Sequence, residues 1–271
     1  MLRFDRIQHL LSPDELYGKL VVQIGVGSGG AAANDHLTMN GVRRWALFDH
    51  DSFDDVNLVK HPRLRAQLGR PKVENQREWI LDRNPTAEVG AHAQDVLMSK
   101  EFLDLLSEAD LVLCCADKPD VRTYVNAKCV EARKPCITAS VYRQGFGGEV
   151  YAYVPGVFGC FQCMSRIADE QNWNIEDSIA PTPEEEKTIY GLNLRDFKAS
   201  GLSMDIQAIA LLQSRVALDV LLAGTERKFG PMPGNWVIFY NRPVPNNRLS
   251  GFLKSIHIKV SPRKDCQCNG A

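Results

Sequence analysis

The sequence predicts an α/β fold with a parallel, helix-flanked first half and antiparallel strands toward the C-terminus. Two observations carry this. From residue 19 to residue 140, short β-rich runs alternate with stretches of helical spacing, the order that builds a parallel sheet with helices on both faces. Beyond residue 147 the β-rich runs alternate apolar with polar residues, as antiparallel strands with one solvated face do. With 271 residues, 44% hydrophobic and 24% charged, the chain is an ordinary globular mixture, long enough for one large domain.

In chain order, Lys19-Leu-Val-Val-Gln-Ile-Gly25 is a short strand that stops at glycines. Residues 31–39 have helical spacing, 42–49 form a second strand, and 72–84 are helical with Val73, Trp79, Ile80 and Leu81 apolar. A weak strand at 87–93, a helix at 100–107 and a strong strand at 110–116 come next. The following helix, 119–133, opens on Pro119, which a first turn tolerates because its N–H has no partner there anyway. Residues 135–140 are another strand. The antiparallel runs are 148–154, 236–240 and 253–260. Between the first two of these lie an acidic, proline-containing stretch, 167–200, expected to be a long surface loop, and a helix at 205–222 that ends before Gly224. No internal repeat interrupts this order, so one continuous mixed sheet is expected.

The net charge of −1 gives no electrostatic case for a nucleic acid or an anionic membrane as partner. Three charges break up the apolar residues of MLRFDRIQHLL, so it reads as neither signal peptide nor membrane span. The longest apolar stretches, 208–212 and 216–223, are far too short to cross a bilayer. A cytoplasmic protein is the expectation.

Gly25-Val-Gly-Ser-Gly-Gly30 fits G-x-G-x-x-G with Gly25, Gly27 and Gly30, after a strand and before a helix. Glycines let the backbone turn tightly and approach a phosphate, and the helix N-terminus adds free N–H groups and a favourable dipole. Asp49 ends the next strand, where an acidic residue can accept from ribose hydroxyls. This is a Rossmann-like nucleotide-binding half continuing into a mixed sheet with antiparallel C-terminal strands. These features indicate a nucleotide without indicating which.

The segments beyond the glycines narrow the choice. Asp49-His-Asp-Ser-Phe-Asp-Asp-Val-Asn57-Leu-Val-Lys60 is succeeded by Gly69-Arg-Pro-Lys72-Val-Glu, and the third strong strand runs out in Ala116-Asp117-Lys-Pro-Asp-Val-Arg122. Together with Arg3-Phe-Asp-Arg6 near the start, this series resembles the ThiF/MoeB/E1 superfamily of ubiquitin-like-protein activating enzymes. The resemblance implies a single adenylation domain over 1–271. Its nucleotide-binding half is 1–147, its crossover loop region 164–204, and its C-terminal helix and antiparallel strands 205–271. It implies that ATP and Mg²⁺ are used to adenylate the C-terminal glycine carboxylate of a small ubiquitin-like, β-grasp protein, within a homodimer. Asp49 then binds ribose. Asn57 and Lys60 hold the triphosphate, with Lys60 standing where the family usually has arginine. A lysine there keeps the charge and loses the planar fork. Lys72 is the phosphate lysine. Asp117 organises Mg²⁺ and the reacting groups, followed by Lys118 rather than the family's asparagine, with Arg122 in its usual place. Arg6 reaches across the dimer to the neighbour's ATP. Asp54, Asp55 and Arg70 are expected to be plain solvated positions.

Two further readings belong beside this one. An NAD-dependent oxidoreductase needs a catalytic His or Tyr near the nicotinamide. Neither His61, in the phosphate segment, nor His257, in a late strand, suits that role. A non-catalytic nucleotide-binding pseudoenzyme is motivated by Lys60 and Lys118.

Eight cysteines occur in the sequence. Cys114, Cys115, Cys129 and Cys136 fall in or beside apolar elements and are expected to be small core residues. Cys160-Phe-Gln-Cys163 and Cys266-Gln-Cys268 are two close pairs, the usual material of a structural tetrahedral zinc site. The resemblance implies the same, although a one-residue spacer in the second pair is a departure. A redox C-x-x-C is the alternative. No cysteine lies between Cys163 and Cys266, the segment where thioester-forming members carry their reactive one. The resemblance therefore implies adenylation alone.

Overall fold

The computed structural model describes residues 4–142, 145–171, 201–244 and 247–269. Eight strands form one sheet in the order β3-β2-β1-β4-β5-β6-β7-β8. They are β1 (Leu20–Ile24), β2 (Arg44–Phe48), β3 (Glu88–His92), β4 (Leu111–Cys114), β5 (Cys136–Val141), β6 (Gly147–Tyr153), β7 (Trp236–Tyr240) and β8 (Lys254–Ile258). Pairing is parallel from β3 to β5 and antiparallel from β5 to β8.

The helices among the described residues are α1 (Asp14–Tyr17), α2 (Ser28–Met39), α3 (Lys72–Arg83), α4 (Lys100–Glu108), α5 (Pro119–Glu131), α6 (Phe161–Glu170) and α7 (Ser203–Leu221). They cover both faces of the sheet. Leu20, Val22 and Ile24 of β1 pack on one face with Phe102 of α4, Val125 of α5 and Met164 of α6. Val21 packs on the other with Leu37 of α2, Ile80 of α3 and Ile209 of α7. Burial on both faces explains why β1 and β4 read as near-continuous apolar runs.

Most elements fall within one to three residues of their expected ends. The region after Cys163 differs. The surface loop expected from residue 167 does not begin there, because Ile167–Glu170 is the last turn of α6. Cys163, Met164 and Ala168 are buried on one side of that helix while Gln162, Arg166, Asp169 and Glu170 are exposed, a one-sided pattern of helical spacing. The rest of that expected loop, residues 172–200, lies outside the described residues. Among the described residues no helix is long and apolar enough to cross a membrane.

The topology places the site. From β1 the chain goes to β2 and β3 on one side, then crosses to β4 on the other, so order reverses at β1/β4. In open α/β sheets ligands gather in the crevice beyond the strand carboxyl ends at such a switch point. Ile24 pairs level with both Phe48 and Cys114. The three segments that come after them, Gly25, Asp49 and Cys115–Asp117, therefore leave adjacent strands at one height.

Candidate functional site

Gly25 turns the chain out of β1 with φ +89°, a conformation that favours glycine, and a side chain there would meet the Cys115 carbonyl at 3.0 Å. Gly30 sits in the first turn of α2, where a Cβ would run into the Gly25 carbonyl and lie 3.1 Å from Cys115 Cβ. Its lack of a side chain lets the helix start close against the sheet. Gly27 is different. It is the N-cap of α2, and among the described residues nothing lies within 4 Å of where its Cβ would be. The N–H groups that open a helix have no partner within it, so α2 presents its unpaired donors beside an open space.

Asp49 closes over this turn. Its Oδ2 accepts from the Val26 N–H at 2.6 Å and its Oδ1 from the Asp51 N–H at 2.9 Å. Burial raises its pKa above the ordinary carboxylate value, opposed by the charge of Lys72 and by those two N–H groups. A carboxylate offers about four lone pairs, so Asp49 keeps capacity for further donors.

Lys72 is the first residue of α3, after Pro71. It reaches the strand ends because residues 51–53 pair with 69–72: Phe53 N–H donates to Arg70 O at 2.9 Å, Gly69 N–H to Phe53 O at 2.8 Å, and Lys72 N–H to Asp51 O at 3.0 Å. The Lys72 side chain is 9% exposed and its Nζ lies 2.6 Å from Asp51 Oδ2. Asn57 ends a short 3₁₀ turn, and its carbonyl accepts from the N–H groups of Lys60 and His61. Lys60 is half-buried, with its carbonyl 3.4 Å from Ser203 Oγ at the start of α7. Asp54, Asp55 and Arg70 are exposed, and Arg70 pairs with Glu78 at 2.7 Å.

Asp117 is exposed past the end of β4. It does not cap α5: the N-cap residue is Lys118, whose side chain makes no capping bond, and the side chain that accepts from the first turn is that of Asp120, from the Val121 N–H at 2.9 Å. Arg122 donates from Nε to Ala116 O at 2.8 Å, which fixes the backbone just before Asp117. Arg6 is not brought to this cluster within its own chain. It lies in an exposed turn whose Phe4 ring packs 6.2 Å from Tyr17, just ahead of β1, at the opposite end of the strand.

Beneath the glycine turn runs a buried polar chain that the motifs do not reveal. Gln23 Nε2 donates to Gly25 O and Gly30 O at 3.0 and 2.9 Å, and its Oε1 accepts from Asn34. Asn34 Oδ1 accepts from Gln76 Nε2 at 2.6 Å, and Gln76 Oε1 accepts from Arg63. Arg63 also grips Asp35 with two N–H groups. The network ties α2, α3 and the 61–63 segment to the turn. A glutamine inside the apolar run of β1 is the one sequence signal that points to it, since a buried polar group needs partners.

The four paired cysteines meet at the other end of the chain. Cys160 precedes α6 and Cys163 lies in its first turn, while Cys266 and Cys268 come from the C-terminal segment. All four sulfurs lie within 4.8 Å of one another, with Cys160–Cys266, Cys163–Cys268 and Cys266–Cys268 each at 3.5 Å. Tetrahedral zinc–thiolate bonds of about 2.3 Å put sulfurs roughly 3.8 Å apart, so the donor set fits that ion and the one-residue spacer does not prevent it. Cys114, Cys129 and Cys136 are core residues, as expected. Cys115 is half-buried and donates to Gln213 Oε1.

The chain is similar to known proteins. The molybdopterin-synthase adenylyltransferase of Escherichia coli (strain K12) is 32% identical over 177 residues, covering 63% of this chain and 70% of that protein. The ubiquitin-like modifier-activating enzyme 5 of Dictyostelium discoideum is 26% identical over 158 residues, covering 54% of this chain and 42% of that protein. This chain thus spans less than half the length of the second. A crystal structure of E. coli MccB with succinimide superposes with a TM-score of 0.70 over 95% of this chain and 68% of that one, at 21% identity, a likeness of fold. A family model described as the ThiF family matches residues 14–267. That match runs from α1 through the glycine turn and the three strand ends to Gln267, one residue short of Cys268, and this chain belongs to the ThiF family.

Proposed function

We propose that this chain uses ATP to adenylate the C-terminal glycine carboxylate of a small ubiquitin-like, β-grasp protein, releasing pyrophosphate. The observation that supports this most is the convergence of the glycine turn, Asp49 and Asp117 at three level strand ends, in a family whose relatives named above are adenylyltransferases and activating enzymes. A C-terminal carboxylate is already ionised at neutral pH, so no general base is needed for its attack on the α-phosphate. What the reaction needs is alignment and neutralisation of negative charge.

The residues divide that work. The unpaired N–H groups at the start of α2 cradle phosphate, and Asp49 accepts from the ribose hydroxyls. Asn57, Lys60 and Lys72 hold the triphosphate, with Lys72 exchanging its Asp51 partner for a phosphate oxygen. Asp117, exposed and not engaged in capping, would hold Mg²⁺, which when bound neutralises charge on the phosphates. An Arg6 supplied by a second copy of this chain would add positive charge, which makes a homodimer the working form. Zinc at Cys160, Cys163, Cys266 and Cys268 would staple the C-terminal segment to the start of α6 and take no part in the chemistry. The test is ATP–pyrophosphate exchange with candidate β-grasp proteins, beside melting temperatures with ATP and with NAD. Exchange that requires the partner is expected. Stabilisation by NAD and not by ATP would end this reading, and ATP binding without exchange would reduce it to a nucleotide-binding pseudoenzyme.

A further inference from the structure

His61 is 5% exposed, at the end of the segment that carries Asn57 and Lys60. Its Nε2 lies 2.9 Å from the carbonyl oxygen of Val26, inside the glycine turn. A carbonyl only accepts, so Nε2 carries the hydrogen. Nδ1 is then a bare acceptor, and it is buried with no hydrogen-bond partner among the described residues. Phe53 packs against the ring at 4.9 Å in an edge-on arrangement. The ring is neutral at physiological pH. Burial foremost, and then the charges of Arg63, Lys72 and Lys60, lower its pKa to about 4 against the opposing pull of the bond to Val26.

The bond to Val26 has a directional consequence. The peptide between Val26 and Gly27 is trans, since no described peptide bond is cis, and in a trans peptide the N–H points away from the C=O. Holding Val26 O against His61 therefore turns the Gly27 N–H the other way. Among the described residues nothing accepts from that N–H, and Gly27 borders open space. The neighbouring peptide is fixed independently, with Gly25 O bound by Gln23 and Val26 N–H bound by Asp49. His61 is thus the one described side chain that fixes the Val26–Gly27 peptide.

We propose that His61 is a positioning residue: its neutral imidazole, donating to Val26 O, aims the Gly27 N–H at the nucleotide phosphates and locks the Asn57–Lys60 segment to the glycine turn. This rests on the ATP reading of the site. The test compares His61→Leu, which removes the donor, with His61→Gln, which keeps an N–H at similar reach. Calorimetry measures the affinities of both variants and the unsubstituted chain for Mg²⁺-ATP and for adenosine. The leucine variant should bind ATP at least about tenfold more weakly and adenosine unchanged, and the glutamine variant should bind ATP within about threefold of the original. Equal ATP affinity in the leucine variant, or equal losses for ATP and adenosine, would overturn the proposal while leaving the ATP reading intact. No ATP binding by the unsubstituted chain would overturn the ATP reading itself. Should the leucine variant fail to fold, the ¹⁵N imidazole spectrum of the unsubstituted protein decides. It should show the proton on Nε2 down to about pH 5, and a ring protonated on Nδ1 or titrating near its ordinary value would refute the assignment.

Discussion

Gly27 and Gly30 are two residues of one motif, and the structure gives them opposite roles that alanine substitution separates. At Gly30 a methyl group would collide with the Gly25 carbonyl and approach Gln23 Nε2 at 3.0 Å and Cys115 Cβ at 3.1 Å. The first contact is backbone that Gln23 already pins, so α2 itself must move. Overpacking of this kind costs about 1–3 kcal/mol, offset by up to about 1 kcal/mol of helix propensity. For a chain of this size each kcal/mol lowers the melting temperature by roughly 2–4 °C, so Gly30→Ala should melt about 5 °C lower. At Gly27 a methyl group meets nothing among the described residues, and φ −68° with ψ −170° is open to alanine. Gly27→Ala should therefore melt within about 2 °C of the original without nucleotide. Its methyl would occupy the space where a phosphate approaches, and a tenfold loss of ATP affinity removes about 1.4 kcal/mol of ligand stabilisation. Differential scanning fluorimetry with and without Mg²⁺-ATP measures both quantities. A Gly30→Ala protein of unchanged stability, or a Gly27→Ala protein that keeps its full ATP shift, would show that the two glycines do not divide these roles.

The cysteine cluster and His61 lead to two more expected outcomes. Protein purified without chelators should carry about one zinc per chain, and Cys160→Ser should lower both metal content and melting temperature; absence of zinc by elemental analysis would remove that assignment and leave the adenylation reading in place. His61 makes stability pH-dependent. Its folded pKa of about 4 lies below the ordinary 6.5, so the unfolded chain takes up a proton that the native ring does not. Stability is full above about pH 6.5 and falls as pH drops toward 4. By pH 5 the loss is about 2 kcal/mol, which a urea midpoint measured at pH 7.5 and pH 5 should show and His61→Gln should abolish.

Much of this molecule is legible in its sequence because the signals are local. β4 is an unbroken apolar run and β1 is one but for Gln23, the glycines sit between strand and helix, and Pro119 marks the first residue of α5. The features that escape depend on distant partners. Asn34 and Gln76 look like solvated helix residues, yet both are buried because α2 and α3 face each other across the Arg63–Asp35 pair. His61 reads as an unexceptional residue of the phosphate segment, and only the fold brings it to Val26. α6 is hidden behind the cysteine pair that opens it, while Met164 and Ala168 carry the helical period past that pair. Asp117 stands just ahead of α5, and only the structure shows that Lys118, not Asp117, is that helix's N-cap.

In the proposed function Asp117 serves chemistry at the strand ends rather than the stability of α5. Its test is melting temperature and partner-dependent ATP–pyrophosphate exchange measured on the same Asp117→Ala protein. Expected are an unchanged melting temperature, retained binding of the ubiquitin-like partner, and exchange slower by at least about a hundredfold, roughly 2.7 kcal/mol of transition-state stabilisation. A protein that melts lower, as loss of a helix cap costing about 1 kcal/mol would cause, but exchanges at the original rate would contradict it.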